Sequence, residues 1–446
     1  MLRKLDVWKI KPLKSRRSLL CAFAIMAVVP VAAETSSWPN YLGPDKNSIS
    51  PDPTPLAESW PTEGPPELWK IDVKPGHGGA AIVDGKIYLM DRVDGERDVL
   101  RLIDFETGKV LKESGFESPG RVNFSGSRGV PTVTEEHVFA TGPMGMVTAW
   151  KRDDLSLLWT IDLVKEFGAE PLHFGYAVHP QVYGDLVIIS VNAKDASVVA
   201  LNADTGKVVW KTGGLYGSLS SPLIRKFQGR DQILYISQEL PEKPGKGGKP
   251  SVAGLDPKSG KVLWRYQDFQ ANLPIPAPVV IDEQTLFVTG GYEAGSQLLN
   301  FEGGKNPEVK VTSKWGSHIC PPIVHDGHIY FLTHENATLK KKKLWPELGL
   351  YCLTKDGEKL WNSGAEPMFG RGSMILADGK LIIRDSYYGK LYLVKPDPKG
   401  YRQLAVANPF DHQRRDLKRW APLAISKGRL IIRDERELKC LDLRKR

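Results

Sequence analysis

Six side chains of one chemical kind stand at comparable places along this chain: His77, Arg128, His179, His318, Arg371 and Arg419, the last followed by Trp420. Three of the nine histidines fall in this set. Imidazole and guanidinium donors that converge in a concave site favour an anion, such as a carboxylate, a phosphate or an acidic sugar, and arginine suits bidentate contacts to such groups. Little else in the chain offers chemistry. There is no GxSxG, no HExxH and no P-loop, so no catalytic residue and no metal ligand is assigned. Cys320, Cys352 and Cys440 are the cysteines beyond residue 33, and no CxxC is present. They read as small buried apolar residues, with a Cys320–Cys352 pairing left open.

These six residues are positioned by a repeat. From residue 80 onward a short apolar segment is followed by two alternating strands, a glycine turn and a strand that often carries Trp. The clearest copy runs from Val182 through Ser197 to Trp210. Alternation of period two means half-buried strands, and the Asp-Gly, Thr-Gly and Ser-Gly pairs supply the turns that antiparallel hairpins need. First strands begin near Ala80, Val130, Pro180, Ser221, Ala277, Pro321, Ser373 and Ala421, giving eight copies. Spacing of this size is expected of four-stranded propeller blades. The eighth copy lacks its last strand, and Leu68–Val73, a lone Trp-bearing strand ahead of the first copy, can complete it. The expected fold is therefore all-β: an eight-bladed β-propeller over residues 68–446, closed by the N-terminal strand. In such a ring the six residues above lead into first strands, at the mouth of the central funnel.

Asn202–Trp210 and Asp256–Trp264 resemble the tryptophan-docking repeat of the pyrroloquinoline-quinone (PQQ) type propellers, with weaker copies ending at Trp159 and Trp361. The resemblance implies that Trp69, Trp159, Trp210, Trp264, Trp315 and Trp361 pack between adjacent blades. Lys112 stands at that place in the first copy, and the seventh copy has no Trp there. The family includes quinoprotein dehydrogenases, which bind PQQ and calcium on the propeller axis, and a branch resembling the propeller subunit of outer-membrane protein assembly (BamB-like). The dehydrogenases typically use an adjacent Cys-Cys pair, which this sequence does not contain.

The N-terminus reads as an export signal. A basic stretch precedes an apolar run from Leu19 to Val29 and small residues at Val31–Ala33, so residues 1–33 are expected to be a signal peptide. They carry seven Lys/Arg against one Asp, six of the nine net positive charges, so the basic balance is no argument for nucleic acid binding. Residues 34–67, rich in Pro, Ser and Gly, read as an irregular segment lying on the ring. Two insertions, 241–250 and 338–344, should be exposed loops between second and third strands. The expected function is that of an exported, periplasmic or extracellular binding or scaffold propeller without a cofactor. Its partner would be another exported protein or peptide, or a small anionic ligand. The alternative is a PQQ- and calcium-dependent oxidoreductase.

Overall fold

The structure, a computed structural model, describes residues 36–170, 173–215, 217–237, 251–271, 273–304, 306–333, 347–410 and 417–446. The expected signal peptide and both insertions lie outside the described residues. The strands on either side of each insertion are the second and third of their blades, Arg230–Ile236 with Val252–Leu255 and His328–Thr333 with Gly349–Thr354.

Among the described residues, thirty-two strands form eight four-stranded antiparallel sheets, each a blade of one ring. Seven blades take their strands in sequence order. The eighth pairs Glu67–Asp72 with Glu437–Asp442, so the N-terminal strand completes the last blade as expected. First strands begin within three residues of the expected positions, at residues 80, 132, 181, 223, 279, 323, 373 and 424. Closure of this kind removes the open seam that would otherwise expose unpaired backbone. One five-residue helix, Leu163–Phe167, departs from the all-strand expectation; Asp162 caps its start and Gly168, left-handed, ends it. Among the described residues no helix is long and apolar enough to cross a membrane.

A local motif joins blade to blade. In the turn before the fourth strand, Asp104, Asn202 and Asp256 each accept the amide and hydroxyl of the Thr or Ser three residues on, at 2.6–3.0 Å. The next residue is Gly108, Gly206 or Gly260, each in the left-handed region at φ of 70–73°. The Trp of the preceding blade lies over that glycine. A Cβ there would stand 2.6 Å from Trp69, 2.8 Å from Trp159 and 2.4 Å from Trp210. Each indole N–H then donates to the carbonyl just after the Asp or Asn, at Phe105, Ala203 and Pro257 (3.0, 2.8 and 3.2 Å). Trp361 donates likewise to the Asp397 carbonyl of blade 7 at 2.9 Å.

Four joints are built differently. Trp264 donates to Gln232 of its own blade and packs on Phe301 of the next, 4.6 Å between rings. Trp315 packs in one cluster with Phe287 and Leu298 of blade 5 and Phe331 and Tyr351 of blade 6, but it does not hold the register place that Trp210 holds. Val311 pairs with Leu298 as Trp210 pairs with Ala200, and it is Val311 that meets Gly357 of blade 6, 2.9 Å from a Cβ there. Trp315 lies beyond the strand end, near Tyr351. At the first joint, where Lys112 takes the Trp place, the buried Trp150 of blade 2 reaches back to Ser114 of blade 1 at 3.2 Å. At the seventh, where Ala405 takes it, the buried Arg384 donates to carbonyls of Arg419, Ala421 and Arg433 in blade 8.

Replacing a docking glycine should cost more than replacing an equally left-handed glycine in open space. Gly229, at φ 75° with nothing near its Cβ direction, is the comparison. Gly229→Ala incurs only backbone strain, about 1–2 kcal/mol. Gly260→Ala must also displace Trp210, for about 1–3 kcal/mol more. Urea denaturation measures both, and equal losses would contradict the docking account.

Candidate functional site: the axial pocket

The inner strands leave a space on the axis, and the N-terminal segment fills it. Trp38 exchanges backbone hydrogen bonds with Ile82 of blade 1, at 2.8 and 2.9 Å, and the Pro39 carbonyl accepts from Val133 of blade 2 at 2.8 Å. Tyr41 stacks on His179 of blade 3, with 3.9 Å between rings. Tyr41 and Leu42 cluster with Val130, Leu223 and Ala277 of blades 2, 4 and 5. Ser48 and Ser50 bond Leu376 of blade 7, and Asp52 accepts the Lys427 amide of blade 8. The expectation that this segment lies on the ring is corrected: residues 38–49 enter the axis. A segment without periodicity gives no sign of this, because its partners are hundreds of residues away.

Above this plug is a cavity of about 340 Å³. All eight blades contribute to its wall from the segments that lead into their first strands. His77, Arg128, His179, His318 and Arg371 line it, together with Tyr41, Phe124, Phe174, Tyr292 and Trp420. The sixth residue of the set, Arg419, does not. Its side chain is fully buried and donates to the carbonyls of Tyr387 and Leu417, while its neighbour Trp420 faces the cavity. In extended chain adjacent side chains point to opposite sides, so only one of the two can reach the axis.

Each lining group is held differently. The run Gly76–Gly79 reads from sequence as a mere turn; in the structure it carries His77 against blade 2. The His77 amide donates to the Ser127 carbonyl at 2.7 Å, and a Cβ on Gly78 would stand 2.4 Å from the Gly129 carbonyl oxygen. The His77 ring is buried, lies 5.1 Å from Trp420, and neither ring nitrogen makes a well-formed hydrogen bond. His179 accepts the Val130 amide at Nδ1, 2.9 Å, which leaves the proton of the neutral ring on Nε2. Arg128 is committed to backbone: its guanidinium donates to the carbonyls of Asn123, Phe124 and Phe174, tying the approach to blade 2 to that of blade 3. Burial, with Arg92 nearby, lowers it to about 10, which leaves it positive at neutral pH. Arg371 donates through Nε to His318 at 3.3 Å and lies over the Trp420 ring at 5.6 Å. No Asp or Glu lines the cavity among the described residues. The wall thus combines aromatic surface with uncompensated positive charge.

Calcium takes six to eight oxygen ligands, chiefly carboxylates and carbonyls. Among the described residues this wall offers no carboxylate, and its oxygen-bearing side chains are the phenols of Tyr41, which burial holds protonated, and Tyr292, and the amide of Asn123. The quinone–calcium arrangement does not fit these residues. The three cysteines are unpaired and buried, and burial pushes the Cys320 thiol up to about 12. Glu136, His137 and Asp204, which the sequence reading did not single out, meet at the surface between blades 2 and 3, where His137 Nε2 lies 3.3 Å from an Asp204 carboxylate oxygen.

The geometry is that of an axial pocket on a closed eight-bladed ring. The chain belongs to the PQQ_2 family, whose model, described as outer membrane protein assembly factor BamB, matches residues 95–339 and 248–433. BamB from Moraxella catarrhalis is similar over 84% of this chain and 96% of its own, with a TM-score of 0.57 and 14% identity. A europium-containing methanol dehydrogenase is similar over 90% of each chain (TM-score 0.59, 12% identity). The quinohemoprotein alcohol dehydrogenase ADHIIG from Pseudomonas putida HK5 is similar over 92% of this chain and 80% of that one (TM-score 0.61, 11% identity). In sequence, a quinoprotein ethanol dehydrogenase from Pseudomonas aeruginosa is 36% identical over 88 residues, 19% of this chain and 14% of that protein. The match therefore spans about one seventh of that relative's length, and the structural likenesses show the shared fold.

The buried histidines make stability depend on pH. Burial lowers His179 to about 3. Burial first, then Arg128 and Arg433, lowers His77 to about 3, against a weak opposing pull from the Phe124 backbone. An unfolded histidine protonates near 6.5, so below that pH the unfolded chain binds protons that the folded chain refuses. Stability contributed by these rings is full above about 6.5 and falls on acidification toward 3, by up to about 1.4 kcal/mol per pH unit for each ring. Urea denaturation between pH 7 and pH 4.5 should show a shallower slope in His179→Gln by about that amount. An unchanged slope would contradict the neutral, buried state of this ring.

Proposed function

We propose that this chain is an exported, non-enzymatic binding propeller whose axial pocket recognises an anionic group on an apolar or aromatic body, presented by a small ligand or by an exported protein or peptide. The observation that carries this reading is the composition of the wall: Arg371 beside His318 and Trp420, Arg128 across the pocket, several aromatic rings, and no carboxylate among the described lining residues. Cationic donors in a largely apolar, concave site gain most from an anion, because low local polarity strengthens the contact. The cavity, about 340 Å³, is at the small end of ligand sites. Family membership supports the binding reading, since the family model is described as an outer membrane protein assembly factor. The export signal expected over residues 1–33 supports a periplasmic or extracellular location, and nucleic acid is not among the proposed partners. The dehydrogenase alternative draws only on the short sequence match and on the fold, and the donor set of the pocket argues against it.

Benzoate is a suitable probe, being a carboxylate on an aromatic ring. Calorimetric titration should show saturable binding that Arg371→Met weakens about 10-fold, the loss of one charge-assisted contact. Neutral benzamide should bind more weakly than benzoate. Equal binding of the two probes, or of benzoate to wild type and Arg371→Met, would overturn the proposal.

A further inference from the structure

On the other side of the plug is a second cavity, of about 190 Å³, lined by the inner strands of blades 4, 5 and 6. It lies further along those strands than the axial pocket: Leu223 and Arg225 line it where Leu219 lines the first, and Pro278–Val280 where Leu273 and Ile275 do. Its strand wall is formed by Val, Leu, Ala and Pro residues apart from Arg225; its remaining polar side chains, Lys46 and Asn47, come from the plug. No Asp or Glu lines it among the described residues.

The two cations are placed by structure. Lys46 sits in a tight coil closed by its own amide to the Gly43 carbonyl (3.1 Å) and by the Ser48 amide to the Leu42 carbonyl (2.8 Å). Leu42, Lys46 and Ser48 are all left-handed, at φ of 70°, 54° and 63°. Non-glycine residues hold that conformation only where surrounding contacts fix it, and such strain collects at functional sites. Arg225 donates to the Asp45 carbonyl, which pins its guanidinium beside Lys46. Two like charges are thereby held together over an apolar floor.

We infer that Lys46 and Arg225 form a second anion site, on the face of the ring opposite the axial pocket, which takes a small, multiply charged oxyanion of the phosphate class. Two converging cations and the Asn47 amide supply donors on one side, and the apolar strands exclude competing acceptors on the other. Burial and then Arg225 lower Lys46 to about 8, with Asp231 pulling the other way; Asp45 acts on Arg225 in that same upward sense. Anion binding at this site should therefore weaken as pH rises through about 8, when Lys46 loses its charge.

Isothermal titration of the full chain with inorganic phosphate, at ionic strength held constant with chloride, tests this. Phosphate is expected to bind saturably near pH 7 and more weakly near pH 9.5, and acetate to bind more weakly than phosphate. Lys46→Met and Arg225→Met should each weaken phosphate binding about 10-fold, while Lys258→Met, at an exposed cation that lines neither cavity, leaves it unchanged. Lys46→Arg, which keeps the charge at all these pH values, should retain binding near pH 9.5. No saturable phosphate binding in wild type, an equal loss in Lys258→Met, or a pH dependence that persists in Lys46→Arg would overturn the assignment.

Discussion

The constraint on which the ring depends is that each blade be tied to the next, and the tie that recurs, at three of the eight joints, is an indole laid over a left-handed glycine, with its N–H donating to the carbonyl at the head of the same turn. Two requirements meet in one place. The turn needs a glycine because it passes through positive φ, and the missing Cβ is the space the indole occupies. A blade therefore carries both halves of the joint, a receptor turn at its third-to-fourth connection and a tryptophan on its fourth strand. Where one half is lost, another device links the same two blades: Trp150 reaching back to Ser114, Val311 against Gly357, or Arg384 donating across to the carbonyls of blade 8. The buried arginines each serve two or more carbonyls, three for Arg384 and four for Arg433, which is the condition for burying a guanidinium at all.

A rigid ring of this size leaves a hole, and what fills the hole decides what the protein can bind. Here the chain supplies its own stopper. Tyr41 and Leu42 close the axis from within, so the space is two pockets that open on opposite faces instead of one channel. His77 and His179 are kept neutral by burial and act as polar but uncharged wall, and the pocket's fixed positive charge comes from its arginines. Of these, Arg128 is engaged with the backbone carbonyls of Asn123, Phe124 and Phe174, and Arg371, half-buried beside His318 and Trp420, is the one to which the proposal gives the ligand contact.

Much of this was legible in the sequence, and the reasons for success and failure are physical. Strand alternation and glycine turns are local properties, so blade number, the second strands and the closing strand at Glu67–Asp72 follow from them. His77, Arg128, His179, His318 and Arg371 were found because they precede first strands, whose direction the repeat fixes. Arg419 was misplaced by a single residue, since the choice between it and Trp420 depends on which side of an extended chain faces the axis. Trp315 reaches the contact between blades 5 and 6 from beyond the strand end, which the residue pattern does not show: pairing puts Val311, four residues earlier, opposite Leu298. The plug was invisible, being irregular in itself and held by contacts to residues as distant as Leu376 and Lys427. Lys46 went unnoticed for the same reason.

On our proposal the axial pocket takes an organic anion, and among its described lining residues there is no carboxylate to hold the calcium of a quinone centre. Equilibrium dialysis of the purified protein against PQQ and calcium, with bound calcium and quinone absorbance read together, separates the two readings. No stoichiometric calcium is expected with or without the quinone, and no quinone binding that depends on calcium. One calcium and one quinone taken up together per chain would contradict the proposal and would turn the search toward a dehydrogenase activity.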